Sequence, residues 1–232
     1  MIHLFRIVSG ILLLILVGCT SIPTKPITTN HESKEKYYVK LRLVIETLGE
    51  KCAVPYEDVI ENLNGFTDSF CDPSVELIVY TIEFVEMDIP YKIHIKALDE
   101  YLSPESKLND EYINIYYLMP RHVYLDIPTS GYIASMGSLP DNDSHYVFIV
   151  PYFADKFIFA HEIGHCAGGL LHTFDTDDFC EDTPEQLAPN IDGYNIMDYS
   201  GNPIREFTDN QRARFKQTLL DHHANRIVYL KY

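Results

Sequence analysis

At 232 residues the chain is long enough for one domain with a real core, or for two small subdomains flanking a cleft. Its 34 acidic side chains outnumber 18 basic ones for a formal charge of −16, which argues against nucleic acid or anionic lipid as a partner. No internal repeat or low-complexity tract divides it.

Residues 1–18 read as a removable signal peptide: Arg6 stands near the start, and the apolar run Ile11 to Val17 is too short to span a bilayer comfortably. Removing Arg6 (+1) would take the charge from −16 to −17. Leu16-Val17-Gly18-Cys19 resembles the lipobox of bacterial lipoproteins, which implies cleavage before Cys19 and lipidation of that cysteine. Such an anchor predicts an exported protein on the cell envelope, at the outer membrane or cell surface, since Thr20 is not the aspartate of an inner-membrane retention signal. Residues 19–36 carry Thr, Pro, Ser, Lys and Glu with little apolar content, and read as a flexible tether. The folded domain is then 37–232.

Within it, Val39, Leu41, Leu43 and Ile45 alternate with Lys40, Arg42 and Val44, the period of a half-buried strand over 38–45. Val59, Ile60, Leu63 and Phe66 recur at helical spacing and predict an amphipathic helix from Pro55 to about Phe66. Strands follow over 77–85, 91–95, 112–118 and 146–150, the last two stopped by Pro120 and Pro151. A helix starts near Asp155 and runs to Gly168-Gly169, where a left-handed turn can end it. From Leu171 to Arg205 the composition is that of a loop, and Thr208-Asp209-Asn210-Gln211 is a capping box opening a last helix to about His222. The order describes an α+β fold, a mixed sheet backed by helices. Cys52, Cys71, Cys166 and Cys180 suit export; a Cys52–Cys71 disulfide around the first helix is the preferred pairing, with Cys166–Cys180 as its complement or two free buried thiols instead, since Cys166 directly follows His165.

The chemistry lies in His161-Glu162-Ile163-Gly164-His165. Two histidines four apart stack on one helical face and reach one ion, while Glu162 sits where a carboxylate takes a proton from a metal-bound water. A catalytic zinc needs a third protein ligand and leaves its fourth position open. His172, brought back past the two glycines, is the expected third ligand; Asp175, Glu181 and Glu185 are the acidic alternatives. The chemistry implied is zinc-dependent hydrolysis of a peptide bond, with Glu162 as base and then as acid.

This stretch through Phe174, then Asp182-Thr183-Pro184, then Asn195-Ile196-Met197-Asp198-Tyr199-Ser200, resembles the metzincin peptidases, and among them the pappalysin branch. The likeness spans roughly 55–220, with Asn62-Leu63-Asn64-Gly65-Phe66, Ile113-Asn114-Ile115-Tyr116 and Gly131-Tyr132-Ile133-Ala134 as weaker upstream matches. It implies a twisted mixed sheet, an active-site helix, a Met-turn and a C-terminal helix, with a cleft between subdomains 37–168 and 169–232. It also implies that Met197 floors the zinc histidines, that Tyr199 stabilises the oxyanion, and that Asp175, Asp177, Asp178 and Asp182 bind Ca²⁺.

Two departures from the family stand out. The interval from His165 to His172 is seven residues where six is usual, so one residue is inserted before the turn. Only a short tether precedes the domain, so no blocking prosegment is expected. The expected partner is a peptide or protein substrate, with the membrane reached through the N-terminal lipid; oligomeric state is not legible. The competing expectation is a non-catalytic surface lipoprotein using the fold for adhesion or scaffolding, against which the intact Glu162 argues.

Overall fold

The computed structural model describes residues 35–87, 92–93, 109–119, 123–124, 135–137, 146–149, 156–172, 195–197 and 206–232. In chain order these form β1 (Glu35–Leu48), β2 (Lys51–Cys52), α1 (Tyr56–Phe70), β3 (Val75–Glu86), β4 (Lys92–Ile93), β5 (Ile113–Tyr117) and β6 (Val123–Tyr124). They continue with β7 (Ser135–Gly137), β8 (Tyr146–Ile149), α2 (Lys156–Gly168), α3 (Asp209–His222) and β9 (Ile227–Lys231).

The main sheet is mixed and open. β3 and β5 pair with β1 in parallel and β8 pairs in parallel with β5, while β2, β7 and β9 run antiparallel to their neighbours. β1 is its spine: β3 pairs with it from Tyr37 to Thr47, and β9, β5 and β2 share the rest of its pairing in succession. β4 and β6 form a separate two-stranded parallel ribbon.

Helices α1 and α2 cover one face. Val39, Leu41, Leu43 and Ile45 of β1, with Ile115 and Tyr117 of β5, meet Val59, Phe66 and Phe70 of α1 and Phe159, Ala160 and Ile163 of α2. The α1 side is closed by four rings, Phe66, Phe70, Phe207 and Phe215, with centroids 5.0–6.3 Å apart. At such separations aromatic pairs add about 0.5–1.5 kcal/mol each beyond the area they bury.

The alternating pattern of β1 predicts a half-buried strand, but Leu41 to Glu46 are buried on both faces. β1 lies inside the sheet, paired with β3 along one edge and with β9, β5 and β2 along the other. Burial of Arg42 is offset by a bidentate ion pair, Nε to Glu83 Oε1 at 2.7 Å and Nη2 to Glu83 Oε2 at 2.6 Å, and by Nη1 donating to Asn114 Oδ1 at 3.1 Å. Glu46 accepts from the Met119 N–H at 2.7 Å.

Helix α1 continues one turn past its expected end, because Phe70 still faces the core and Cys71 ends it in the left-handed region at φ 52°. Beyond the last helix, where the sequence pattern assigns no further element, a 3-10 turn and β9 return the chain to β1. Ile227-Val228-Tyr229-Leu230 carries an ordinary strand composition that could have been read from sequence.

The Cys52–Cys71 disulfide is not formed; both are exposed free thiols. Cys52 pairs with Thr47 at one end of β1, whereas Cys71 lies just before Val75, the partner of Tyr37 near the other end. Ten residues of strand separate those positions by about 33 Å, far beyond the ~7 Å between Cα atoms that a disulfide tolerates. Cys166 is buried in α2, and its expected partner Cys180 lies outside the described residues. Among the described residues no helix is long and apolar enough to cross a membrane.

Candidate metal centre

Helix α2 presents His161 and His165 one turn apart, and the chain then doubles back to bring His172 to them. The Nε2 atoms of His161 and His165 lie 3.1 Å apart, those of His165 and His172 3.1 Å, and those of His161 and His172 3.3 Å. Among the described residues this is the group of side chains with metal-ligand geometry.

The far side of two rings fixes which nitrogen carries the proton. His161 Nδ1 lies 2.8 Å from the Ile196 carbonyl, and His165 Nδ1 lies 2.6 Å from the Leu170 carbonyl. A carbonyl only accepts, so each Nδ1 carries the proton and each neutral ring turns the Nε2 lone pair inward. Lone pairs facing one another at this distance repel unless a cation sits between them. Three nitrogens about 2.0–2.1 Å from one tetrahedral zinc stand about 3.3–3.4 Å apart, and the observed triangle has nearly that size. The donor set therefore fits a zinc ion.

Burial first, and then the neighbouring His161, pushes the His165 imidazole from 6.5 down to about 4, with Glu162 acting in the opposite sense. The ring is neutral at physiological pH, the form that binds a metal. Glu162 is itself buried, beside His161 on α2 and within electrostatic reach of His165.

The unusual interval to His172 is absorbed by the helix. Gly168 remains helical, Gly169 takes the left-handed turn at φ 58°, and its N–H donates to the His165 carbonyl at 3.0 Å. Gly168 is tolerated there, and required, because a Cβ on it would lie 2.4 Å from the Phe215 ring. The inserted residue thus lengthens α2 without turning His172 away.

Gly164 has a role that the motif alone did not reveal. A Cβ there would stand 2.6 Å from the Met197 sulfur and 3.1 Å from the Phe207 ring. Met197 is fully buried against this glycine, one residue before His165. Its segment is pinned by Asn195, whose Oδ1 accepts from the Met197 N–H at 2.8 Å and whose amide pairs reciprocally with Gln211 at 3.0 and 3.2 Å. Gln211 also completes the capping box of α3, accepting from the Thr208 N–H at 3.0 Å while its own N–H donates to Thr208 Oγ1 at 3.2 Å. The capping box is legible in sequence; the second use of Gln211 is not, since Asn195 lies sixteen residues away.

The structure thus brings together His161, Glu162, His165 and His172, with Met197 packed beneath the same helix. Tyr199, the acidic residues Asp175, Asp177, Asp178, Glu181, Asp182 and Glu185, and Cys19 lie outside the described residues.

Solved structures share this architecture. Mature mirolysin from Tannerella forsythia, in complex with a cleaved peptide, aligns with a TM-score of 0.60 at 13% identity, over 78% of this chain and 90% of its own. Mirolysin in complex with compound 9 aligns with a TM-score of 0.60 at 15% identity, over 79% of this chain and 92% of its own. The shared fold is α+β, an open mixed sheet backed by helices. Metalloproteinase-II from Bacteroides fragilis aligns with a TM-score of 0.52 at 14% identity, over 82% of this chain and 55% of its own. At such identities the likeness is one of fold. No protein-family model matches the chain, and no curated protein sequence does.

Proposed function

We propose that this chain is a zinc-dependent endopeptidase of the metzincin type, in its pappalysin branch, that cuts extracellular or periplasmic polypeptides. The observation that carries the reading is the inward triangle of three Nε2 atoms, with two of the rings held from behind by backbone carbonyls. The mirolysin fold, seen with a cleaved peptide bound to that protein, supports a peptide as the substrate.

His161, His165 and His172 would hold zinc, which supplies Lewis-acid polarisation of a peptide carbonyl and acidifies water at the site. Glu162 takes the proton of the attacking water and returns it to the leaving amine. Its neighbours on α2 are buried, so the carboxylate works in a setting where solvent competes little. Met197 and Gly164 set the depth at which the helix carries the two histidines. Tyr199 completes the site as a donor to the developing oxyanion. In the same proposal Cys19 is the lipid anchor at the cell envelope, and the loop around Asp175, Asp177, Asp178 and Asp182 binds calcium.

The test is hydrolysis of an unbiased peptide library by zinc-loaded full chain and by Glu162→Ala, each with and without a chelator. Wild type should cleave, lose activity to the chelator and regain it with Zn²⁺, while Glu162→Ala should keep its zinc and lose about a hundredfold or more. Equal activity in every arm removes the enzyme reading. Cys19→Ala should move the protein from the membrane fraction to the soluble one.

A further inference from the structure

The last carbonyls of a helix have no partner inside it, and in α2 they belong to the stretch that carries His165 toward His172. The His165 carbonyl accepts from Gly169 N–H at 3.0 Å, and the Gly164 carbonyl from Leu170 N–H at 3.1 Å. Two further carbonyls are met by the C-terminal part of the chain. His223 Nε2 lies 2.9 Å from the Cys166 carbonyl, and Thr218 Oγ1 donates to the Gly168 carbonyl at 2.9 Å. His223, which ends α3, is 1% exposed. Its Nδ1 accepts from Arg226 Nη1 at 3.2 Å, so the proton sits on Nε2 and the ring is held from both sides.

We propose that His223 and Thr218 are positioning residues for the metal centre, acting through the terminal turn of α2. The chain of contacts is short. Cys166 directly follows His165, and Gly168 directly precedes the left-handed turn at Gly169. Beyond that turn, the Leu170 carbonyl accepts a hydrogen bond from His165 Nδ1–H and so aims the ring. Fraying of the last turn moves the Leu170 carbonyl, loosens His165 and swings the segment bearing His172. Phe215 against Gly168 adds the packing, but packing by itself does not orient a carbonyl. α3 therefore acts at both ends of the site: Gln211 at its start pins the Met197 segment, and Thr218 and His223 at its end hold the ligand-bearing turn.

The inference rests on the metal-binding reading above, and the experiment separates the two. Zinc affinity of the full chain is measured by competition with a chromophoric chelator, and the site geometry by the visible bands of bound Co²⁺. Melting of the chelator-treated forms gives the structural cost separately. His223→Leu, which fills the space without a donor, should weaken zinc about tenfold, the low end for outer partners of metal ligands, and alter the Co²⁺ bands. His223→Gln, which keeps an N–H donor, should recover to within roughly threefold, and Thr218→Val should lose roughly threefold. Wild-type affinity and Co²⁺ bands in both His223→Leu and Thr218→Val overturn the positioning role, however far their melting points fall. Should His223→Leu fail to fold, Thr218→Val decides alone, and wild-type zinc affinity and Co²⁺ bands in that variant overturn the role. A wild-type chain that binds neither metal overturns the metal reading itself.

Discussion

Gly164→Ala separates local preference from tertiary demand at the centre of the site. In an isolated helix interior, replacing glycine with alanine stabilises by about 0.5–1 kcal/mol. Here the new methyl would stand 2.6 Å from the Met197 sulfur, 3.1 Å from Phe207 Cε1 and 3.4 Å from Met197 Cε. The first contact is with the middle of a fully buried side chain, so either α2 lifts or Met197 changes rotamer. A contact as close as 2.6 Å takes the upper part of the about 1–3 kcal/mol that overpacking costs, so roughly 2–3 kcal/mol less a helical gain of about 1 kcal/mol leaves a net loss of about 1–2 kcal/mol. In a domain of this size that lowers the melting temperature by about 2–8 °C. Thermal melting of the metal-free chain measures it. Met197→Ala alone opens a cavity and costs about 2–5 kcal/mol, but the double variant should be more stable than the two losses added together, because each change relieves the other. A Gly164→Ala chain as stable as wild type, or a strictly additive double variant, would refute the seating of Met197 against this glycine.

Gly168→Ala should cost more than Gly164→Ala, since its Cβ would meet a rigid Phe215 ring at 2.4 Å, and Phe215→Leu should recover part of the loss in a denaturation series. For the metal-free chain, His165 titrates near 6.5 when unfolded and near 4 when folded. Between those values the unfolded chain binds the proton and the folded chain does not. Stability is therefore full above about pH 6.5 and falls by on the order of 3 kcal/mol as pH drops to about 4; urea unfolding across this range should show the slope, and His165→Gln should flatten it. Thr208→Ala should cost about 1 kcal/mol as the loss of a helix cap. Gln211→Leu should cost more, about 2–3 kcal/mol, because it strips partners from both the Thr208 N–H and the half-buried Asn195 amide; chemical denaturation ranks the two.

Much of the architecture is written in local pattern. The alternation of Val39 to Ile45, the helical spacing of Val59 to Phe66, the capping box at Thr208 and the spacing of His161 and His165 each depend on a few neighbouring residues, so each is legible without a fold. The departures arise where partners are remote. β1 reads as half-buried because nothing near Arg42 announces Glu83 forty-one residues on. The disulfide fails because the two cysteines are near in sequence but stand toward opposite ends of a strand outside the loop they would close.

By itself, the sequence determined the donor types, the periodicities and the order of the three helices and the longer internal strands, because backbone propensity and helical spacing act over one or two turns. Only the tertiary structure decided that the seven-residue interval to His172 closes on the other two imidazoles. That outcome turns on Gly168 staying helical against Phe215 while Gly169 reverses the chain, and neither Phe215 nor Met197 is a sequence neighbour of the motif. Packing contacts between residues dozens of positions apart carry no local signature, and they set the final geometry of the three nitrogens.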